Sequence, residues 1–423
     1  MIRTTLKLLA IVFSFALSAV AAPEITVGPD DWPWWRGPTR NGKAAKGQKP
    51  SVAFGSTENV IWKSPVPGRG HCSPVLIGNR VFLSTADEVR KTHSVLAYDR
   101  KTGDLLWKKE VDVGAFPERI HKKNTHASPT VASDGQRVFA TFYSGNAVQV
   151  VALNLDGTLA WKKAVGPFHP KKYEFGYGAS PVLYNDWIIV VGDQVKGGFL
   201  AALDRLTGEL SWRIKRPGDI NYATPIVGKV AGKDQILISG AGQVSSYDPS
   251  NGKLNWAAKE TCPQTAGTPV WDGDLVFTSG GYPMKQTIAV RAGTGEKVWE
   301  NQRKSYEQSM MAHNGYLYAV DDGGIAYCWR SQDGEEQWRE RLAGPVSASP
   351  ILVGDRLYAA NENGQFFVFK ADPKKWELLA SNKLGDEAFA TPAFCGNRIY
   401  ARVAHHEADG RKEYLYCIGA ESK

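Results

Sequence analysis

The sequence predicts an all-β fold: an eight-bladed β-propeller of four-stranded antiparallel blades, closed by an N-terminal strand. Two recurring phrases predict it. The first is Ser or Thr, then Pro, then a short apolar run, and it stands at Ser73-Pro74, Ser128-Pro129, Ser180-Pro181, Thr224-Pro225, Thr268-Pro269, Ser349-Pro350 and Thr391-Pro392, with Ser309-Met310 in the register of the missing copy. The second is an apolar strand, a glycine turn and a strand that carries a tryptophan, namely Trp107, Trp161, Trp212, Trp256, Trp299 or Trp338.

Each repeat contains four short strands. In the first repeat the apolar run Val75 to Ile77 meets Gly78-Asn79, a two-residue hairpin signal, and returns as Arg80 to Ser84. A third strand then turns through Thr102-Gly103 into the strand that carries Trp107. A single four-stranded sheet cannot bury both of its faces, so repeats of this kind are expected to stack radially. We expect each tryptophan to pack between adjacent blades and to donate its indole N–H to a backbone carbonyl.

The ring is expected to close through the two ends of the chain. The eighth unit lacks its own glycine turn and tryptophan strand, whereas Glu58 to Lys63 has the form of a fourth strand and precedes the first unit. We therefore expect this segment to complete the last blade, which removes exposed strand edges. The seventh unit is degenerate, because Lys370-Ala371-Asp372-Pro373 replaces its glycine turn. These boundaries predict a leader at 1–21, an N-terminal extension at 22–57 and a propeller at 58–420.

The start of the chain predicts export. Arg3 and Lys7 precede an apolar run from Leu8 to Val20 and a small-residue site at Ala19-Val20-Ala21, which is the pattern of a cleavable secretory signal. The alternative, a membrane anchor, is disfavoured because the run is shorter than the roughly 20 apolar residues that span a bilayer. No cysteine follows the run, so no lipid anchor is expected. We expect a periplasmic or secreted protein without a transmembrane segment after cleavage.

Composition and charge narrow the classes of partner. The formal net charge of +8 over 423 residues is mildly basic, and no nucleic-acid-binding module accompanies it. The pairs Lys122-Lys123, Lys162-Lys163 and Lys171-Lys172 are either solvated loops or a patch for an anionic polymer or peptide. The five cysteines include no C-x-x-C pair, so there is no signal for a zinc site or a redox dithiol. An envelope protein or polysaccharide remains a candidate partner, and nucleic acid does not.

The phrase A-x-D-x-x-T-G-x-x-x-W resembles the repeat of the pyrroloquinoline-quinone (PQQ) superfamily, the eight-bladed propellers related to quinoprotein dehydrogenases. The resemblance covers residues from about 58 to 420. The segment Asp31-Trp32-Pro33-Trp34-Trp35-Arg36-Gly37-Pro38, followed by Asn41-Gly42, is similar to the opening of exported PQQ-binding-like propeller proteins. Another relative is the propeller lipoprotein of outer-membrane β-barrel assembly, a non-enzymatic scaffold.

The resemblance implies two functions. Its dehydrogenases hold PQQ above a Trp floor with a disulfide between adjacent cysteines, a calcium ion on Glu and Asn, and an Asp base. This chain has neither adjacent cysteines nor a haem motif C-x-x-C-H, so no catalytic residue is carried over. We therefore expect an exported non-catalytic scaffold that binds a protein or cell-envelope polymer without a cofactor. The alternative is a PQQ-dependent oxidoreductase of alcohols or sugars that uses PQQ and calcium at the channel mouth. A lyase or hydrolase is a weaker third reading, because no nucleophile motif is visible.

Candidate ligand-binding residues precede the Ser/Thr-Pro phrases, since the segment that enters each innermost strand lies at the mouth of the central channel. They are Arg69, His71, Asn124, His126, Tyr177, Asn221, Tyr222, Glu307 and Gln308. His71 or His126 could form an acid-base pair with Glu307. The alternative is a hydrated channel whose side chains satisfy one another.

Three further segments stand out. The insertions 114–124 and 166–176 flank the second blade and make that edge the expected partner face, because asymmetric loops on a symmetric ring often carry function. His405-His406-Glu407 with Asp409 is read as a polar loop, so no metal site is predicted. Trp32, Trp34 and Trp35 are expected to pack across the side or base of the propeller.

Overall fold

The computed structural model of the protein describes residues 22–114, 116–169 and 175–420. These residues form thirty-two β-strands in eight four-stranded antiparallel sheets that follow one another around a ring. The predicted eight-bladed β-propeller is therefore confirmed. The predicted leader at 1–21 lies outside the described residues, and within the described part of the chain no helix has the length and hydropathy to cross a bilayer.

Strand β1 (Val60–Val66) precedes the first blade and belongs to the last one. The strands of blades 1 to 4, from the channel outward, are β2 (Val75–Ile77), β3 (Arg80–Asp87), β4 (Thr92–Asp99) and β5 (Leu105–Val113); β6 (Ala132–Ser133), β7 (Arg137–Ser144), β8 (Ala147–Asn154) and β9 (Leu159–Pro167); β10 (Val182–Tyr184), β11 (Trp187–Gly192), β12 (Phe199–Asp204) and β13 (Leu210–Lys215); β14 (Ile226–Val230), β15 (Lys233–Gly240), β16 (Gln243–Tyr247) and β17 (Leu254–Lys259).

Blades 5 to 7 repeat this order, and blade 8 is completed from the other end of the chain. Their strands are β18 (Val270–Asp272), β19 (Leu275–Gly280), β20 (Gln286–Arg291) and β21 (Lys297–Asn301); β22 (Met311–His313), β23 (Tyr316–Val320), β24 (Ile325–Arg330) and β25 (Glu336–Arg341); β26 (Ile351–Val353), β27 (Arg356–Ala360), β28 (Gln365–Lys370) and β29 (Leu378–Lys383); β30 (Ala393–Cys395), β31 (Arg398–Glu407) and β32 (Gly410–Ile418), with β1 outermost.

Ring closure follows the prediction. Strand β1 pairs antiparallel with β32, with Lys63 opposite Tyr416 and Val66 opposite Glu413. The closing strand begins at Val60 rather than Glu58 and extends three residues beyond the predicted end at Lys63. Both ends of the chain therefore contribute to one sheet, and the ring has no open seam.

The antiparallel order gives the propeller two different faces. We call the mouth face the end that carries the connections between blades, such as 114–131, and those between second and third strands, such as 88–91. We call the closed face the end that carries the remaining hairpin turns, including Gly78-Asn79 and Thr102-Gly103. First strands run from the mouth face to the closed face.

The tryptophans of the outer strands join neighbouring blades. The Trp62 indole donates to the Arg100 carbonyl at 3.1 Å, across the seam between blades 8 and 1. Its ring packs on Gly103, where a Cβ atom would stand 2.7 Å from it. The same donation to a carbonyl of the next blade is made by Trp107, Trp161, Trp299 and Trp338. The predicted role is confirmed for four of the six predicted tryptophans, and Trp62 of the closing strand plays the same part. Trp256 instead donates to the Gln235 side chain, and the Trp212 indole has no acceptor among the described residues.

The N-terminal extension compensates for the degenerate seventh unit. Strand β29 carries no tryptophan, and Phe54 packs edge-on against Phe366 at this seam, with ring centroids 5.8 Å apart. Asn382 fixes the extension there, because its side chain accepts from the Phe54 N–H at 3.1 Å and donates to the Val52 carbonyl at 2.8 Å. Phe54 is 3% exposed, so it replaces the missing inter-blade aromatic side chain.

Candidate functional site

Two rings of side chains line the central channel. The inner ring consists of the hydroxyl residues two positions before each first strand: Ser73, Thr130, Ser180, Thr224, Thr268, Ser309, Ser349 and Thr391. A backbone N–H in one blade donates to the hydroxyl of the next blade in six places, at 2.9 to 3.1 Å. This relay holds the innermost strands at a fixed spacing.

Blade 2 departs from the predicted register. Ser128-Pro129 was expected to be equivalent to Ser73-Pro74, but the Thr130 hydroxyl accepts the ring hydrogen bond from the Ser73 N–H. Ser128 lies two residues earlier and donates to the Asn124 side chain at 2.5 Å. The Ser-Pro phrase therefore marks a loop in this blade, and the ring residue precedes Val131 instead of a proline.

The outer ring lies two residues before the inner one, and its members differ from blade to blade. They are His71, Ser128, Gly178, Tyr222, Ala266, Glu307, Ser347 and Phe389. Together with the inner ring they enclose a cavity of about 230 Å³ that opens at the mouth face. Regular backbone geometry thus presents seven different residue types at eight equivalent positions around one opening.

The N-terminal segment closes the other end of the channel. Trp32 forms a two-bond bridge with Leu76 in blade 1, and Leu352 in blade 7 is bridged in the same way by Gly42 and Ala44. Between these anchors Trp35 reaches the cavity, and its indole donates to the Thr268 hydroxyl at 2.9 Å. The tryptophan segment was expected at the side or base; it crosses the closed face and forms the floor of the cavity.

An ion pair crosses the mouth. The Lys123 ammonium, from the connection into blade 2, lies 2.5 Å from Glu362 Oε1 in blade 7. Ser347 Oγ contacts Glu362 Oε1 at 2.7 Å and Glu307 Oε2 at 2.5 Å. Burial raises the pKa of Glu307, an effect that Ser347 and Lys123 oppose. Lys123 therefore pairs with Glu362 and also stabilises the charged form of the neighbouring Glu307.

His71 lines the part of the cavity wall that belongs to blade 1. It stacks on Phe389 with ring centroids 4.4 Å apart and planes 8° apart. Burial, followed by the charges of Arg402, Arg69 and Arg411, lowers the pKa of His71 well below its usual value. Its imidazole is therefore neutral at pH 7, although a hydrogen bond with the Lys123 backbone opposes the lowering of its pKa. Its Nε2 atom is shielded from solvent without a hydrogen bond of standard geometry among the described residues.

Four of the nine predicted residues line this cavity: His71, Asn124, Tyr222 and Glu307. His71 and Glu307 belong to blades separated by two others, and Lys123 extends across the opening, so the predicted acid-base pair does not form. Asn124 ties two loops together, because its side chain donates to the Phe175 carbonyl at 2.6 Å.

The other five predicted residues lie elsewhere. Arg69 extends toward Glu88, 3.8 Å away, and His126 stacks on Phe116 with centroids 4.1 Å apart. Burial, then His93 and Arg69, lowers the pKa of His126 to about 4. The three remaining residues are buried: Tyr177, Asn221 and Gln308.

Each of these three has a structural partner. The Tyr177 hydroxyl donates to the Val191 carbonyl at 2.9 Å. Asn221 donates to Asp193, which is itself in a fully buried bidentate pair with Arg216. The Gln308 side chain donates to the Val346 carbonyl. Tyr177 and Asn221 stand five residues before a first strand and Gln308 stands three before, whereas the two rings of channel residues stand two and four before. Alternation along an extended segment therefore separates them from the cavity residues.

The predicted basic patch is largely paired. Lys162 contacts Asp112 at 2.5 Å, and Lys163 contacts Glu209 at 2.5 Å. Lys171-Lys172 lie outside the described residues. No group of three or more His, Cys, Asp or Glu side chains in the described ranges is arranged to hold a metal ion. His406 of the polar segment instead pairs with Glu387 at 2.7 Å.

Sequence reasoning missed Trp35, Lys123, Ser347 and Phe389 as cavity residues. Ser347 and Phe389 each stand two residues before a ring hydroxyl, the position that correctly identified His71 and Glu307. Applying that spacing to every repeat would have found both. No local signal connects Lys123 with Glu362, because 239 residues separate them.

Comparison with known proteins agrees with this architecture. A family model described as outer membrane protein assembly factor BamB matches residues 44–148, 91–340 and 284–410. A curated relative, the outer membrane protein assembly factor BamB of Burkholderia pseudomallei, is 23% identical over 363 residues, which cover 73% of this chain and 87% of the relative. The matches confirm the resemblance to PQQ-repeat propellers.

Two solved structures share the fold. BamB of Moraxella catarrhalis aligns with a TM-score of 0.60 at 16% identity, covering 84% of this chain and 99% of that chain. Quinohemoprotein alcohol dehydrogenase from Comamonas testosteroni aligns with a TM-score of 0.63 at 12% identity, covering 93% and 81%. The same propeller therefore occurs in an assembly factor and in an enzyme, so fold alone does not decide function.

Proposed function

We propose that this chain, which belongs to the family described as outer membrane protein assembly factor BamB, is a non-catalytic scaffold. It acts in the periplasm and binds a protein that takes part in outer-membrane protein assembly. The observation that carries the proposal is the family match, which extends from residue 44 to residue 410 and so covers nearly the whole propeller. The leader predicted at 1–21, which is a signal for export, supports the periplasmic location.

The mouth face is the proposed binding surface. Its loops expose apolar side chains that are not part of the repeat: Val89 is 93% exposed, Tyr282 and Met284 are each 49% exposed, and Val195 is 41% exposed. These residues come from loops in blades 1, 5 and 3. The comparably exposed leucines of the outer strands, such as Leu105, Leu210 and Leu254, instead recur at one position of the repeat, the first residue of the strand. An apolar set spread over one face of a rigid ring suits a protein partner better than a polysaccharide, which would need polar groups along a groove.

Cross-linking in the intact envelope tests this proposal. The wild-type chain is expected to capture a component of outer-membrane protein assembly, identified by mass spectrometry. A mouth variant carrying Val89→Ser, Tyr282→Ser and Met284→Ser is expected to lose the capture. A matched variant with Leu105→Ser, Leu210→Ser and Leu254→Ser, three exposed leucines of outer strands, should retain it. Equal capture by both variants, or a polysaccharide in place of a protein, would refute the proposal.

The quinoprotein alternative is favoured only by the shared fold. PQQ is a tricyclic quinone with three carboxylates and would need several cations around it. Of the described residues that line the cavity, Lys123 is the one cation, and it is already paired with Glu362. The lining therefore does not fit the cofactor. Titration with PQQ and calcium is expected to give neither a bound-quinone absorbance nor dye-linked oxidation of alcohols or sugars; a bound, reducible quinone would overturn the assignment.

A further inference from the structure

The cavity beneath the mouth combines an apolar interior with a charged rim. Trp35 forms its floor, and the rings of Phe389, Tyr222 and Tyr306 contribute to its walls. Its volume of about 230 Å³ exceeds the space of one or two water molecules. A pocket with aromatic walls and a few placed polar groups has the composition of a small-molecule site.

The rim contains a prepared site for a cation. Glu307 and Glu362 both approach Ser347 Oγ, at 2.5 and 2.7 Å. A hydroxyl has one proton, so it can donate to only one of these carboxylates at a time. Two carboxylates this close repel each other unless a positive charge lies between or beside them. The nearby Asp322 already has Lys304 at 2.8 Å, so it does not need the same cation.

Lys123 supplies that charge, and it is an easily displaced occupant. Partial burial opposes protonation, yet Glu362, Glu307 and Asp322 raise the pKa of Lys123 above its usual value. Its side chain is 32% exposed, whereas that of Glu362 is 10% exposed. All three groups come from turns or connections at the mouth, but the Glu362 carboxylate is buried, whereas the Lys123 ammonium remains accessible to solvent.

Blade 1 contributes a buried hydrogen-bonding atom to the cavity. Among the described residues His71 Nε2 is shielded from water without a hydrogen bond of standard geometry, and the Lys123 backbone interacts with this imidazole and opposes the effect of burial on its pKa. Buried polar atoms of this kind are rare in folded proteins and commonly mark the position of a missing ligand or solvent molecule. His71 belongs to blade 1 and the carboxylates belong to blades 6 and 7, so the two groups lie on different parts of the cavity wall.

We propose that the cavity binds a primary amine with a small aromatic body. The ligand's ammonium group takes the place of Lys123 on Glu307 and Glu362. Its ring lies in the cavity between Phe389 and Tyr306, above Trp35. A polar substituent at the far end of the ring can reach His71 Nε2. Lys123 is then an internal competitor that covers the site when the ligand is absent.

Three probes that share a phenyl ring and a two-carbon chain but differ in charge test this proposal. The probes are 2-phenylethylamine, the neutral 2-phenylethanol and the anionic phenylacetate, with binding to the full chain measured by calorimetry. Lys123→Ala is expected to bind the amine about tenfold more tightly than the wild type, because removing a competitor that occupies most sites raises the apparent affinity by that order. The affinity for the alcohol should change little.

Matched variants distinguish the specific role of Lys123 from the general effect of removing an ion-paired lysine. Lys163→Ala removes a lysine with the same 2.5 Å ion-pair distance on the outer wall and should leave amine binding unchanged. Adding Glu362→Gln to Lys123→Ala should abolish the gain, and Glu307→Gln in the same background serves if that double variant does not fold. Stronger binding of phenylacetate than of the amine, an unchanged amine affinity in Lys123→Ala, or an equal gain in Lys163→Ala would each overturn the proposal.

Discussion

The closed face and the mouth face of this propeller are built from different kinds of contact. On the closed face Trp32 is 2% exposed and Arg36 is 1% exposed, and both are held by backbone groups of the blades. On the mouth face the contacts are between side chains of partly exposed loops, as in the pair of Lys123 and Glu362. The eight blades supply equivalent positions at both ends, so this difference comes from the residues that the repeats do not share.

This difference indicates that the contacts of the closed face stabilise the fold, whereas those of the mouth face are available for binding. Backbone hydrogen bonds and buried aromatic rings resist substitution, because their loss leaves cavities or unpaired polar groups. Half-exposed ion pairs contribute little to stability and can be rearranged by a partner or ligand. The following four substitutions test that division.

The largest effect is expected from Trp32→Ala. Its ring is buried against Phe394, with centroids 6.3 Å apart, and over Gly37. Truncating a buried Trp costs about 3–5 kcal/mol of unfolding free energy. Trp35→Ala is the control, because Trp35 is partly exposed at the cavity floor and should cost clearly less. Urea unfolding followed by circular dichroism measures both, and equal losses would contradict the division.

The next effect concerns ring closure. Gly103 has φ +81°, and a Cβ atom there would lie 2.5 Å from Ser64 Oγ and 2.7 Å from the Trp62 ring, both on the closing strand. Gly78 has φ +53° and open space around it. Alanine costs about 1–2 kcal/mol at either site for the left-handed backbone. Overpacking should add about 1–3 kcal/mol at Gly103 alone.

The comparison of Gly103→Ala with Gly78→Ala therefore isolates the seam between blades 8 and 1. Thermal unfolding of the two variants gives the difference directly. Equal melting temperatures would contradict the contribution to stability that is assigned to the contacts between Gly103 and the closing strand.

A smaller, pH-dependent effect is expected at the mouth. The pKa of His126 is lowered to about 4, chiefly by burial, from an ordinary value of 6.5. Between these values the unfolded chain binds more protons than the folded chain, so stability is lost as pH falls from about 6.5 towards 4. His126→Gln should flatten this part of the profile of urea midpoint against pH. An unaltered acid slope in the variant would show that His126 does not titrate as described.

The smallest effect is expected from Lys123→Ala. The Lys123 side chain is 32% exposed, and partly exposed pairs contribute about 0–1 kcal/mol. The buried Glu307, whose pKa burial and Glu362 raise, can take up a proton when Lys123 is lost, which relieves the repulsion between the carboxylates. The unfolding midpoint should stay within that range of the wild type. A loss as large as that of Gly103→Ala would mean that the mouth contacts are structural and not available for exchange.

The parts of the fold that repeat were predictable from the sequence. The glycine and tryptophan of each second phrase have a reason that recurs in every repeat. The turn needs a residue with a left-handed backbone, and the tryptophan ring of the preceding blade packs over that glycine, as Trp62 packs over Gly103. The closing strand followed from counting, with an error of two residues at Val60. The shift from Ser128 to Thr130 was missed because a loop in blade 2 carries its own Ser-Pro phrase.

The site itself was only partly predictable. His71 and Glu307 were found through their place in the repeat, two residues before a ring hydroxyl, whereas Tyr177 and Asn221 stand three residues before one and are buried away from the channel. The floor at Trp35 and the contact between Lys123 and Glu362 join segments more than 200 residues apart. No periodic pattern encodes such contacts, since each occurs once in the ring.

One measurement tests the division of the two faces most directly. A photo-activated cross-linking residue placed at Val89, which is 93% exposed on the mouth face, is compared in intact cells with one at Leu254, which is 51% exposed on an outer strand. The account predicts a discrete protein adduct from Val89, containing an outer-membrane assembly component, and none from Leu254. The same adduct from both positions, or an adduct from Leu254 alone, would contradict it.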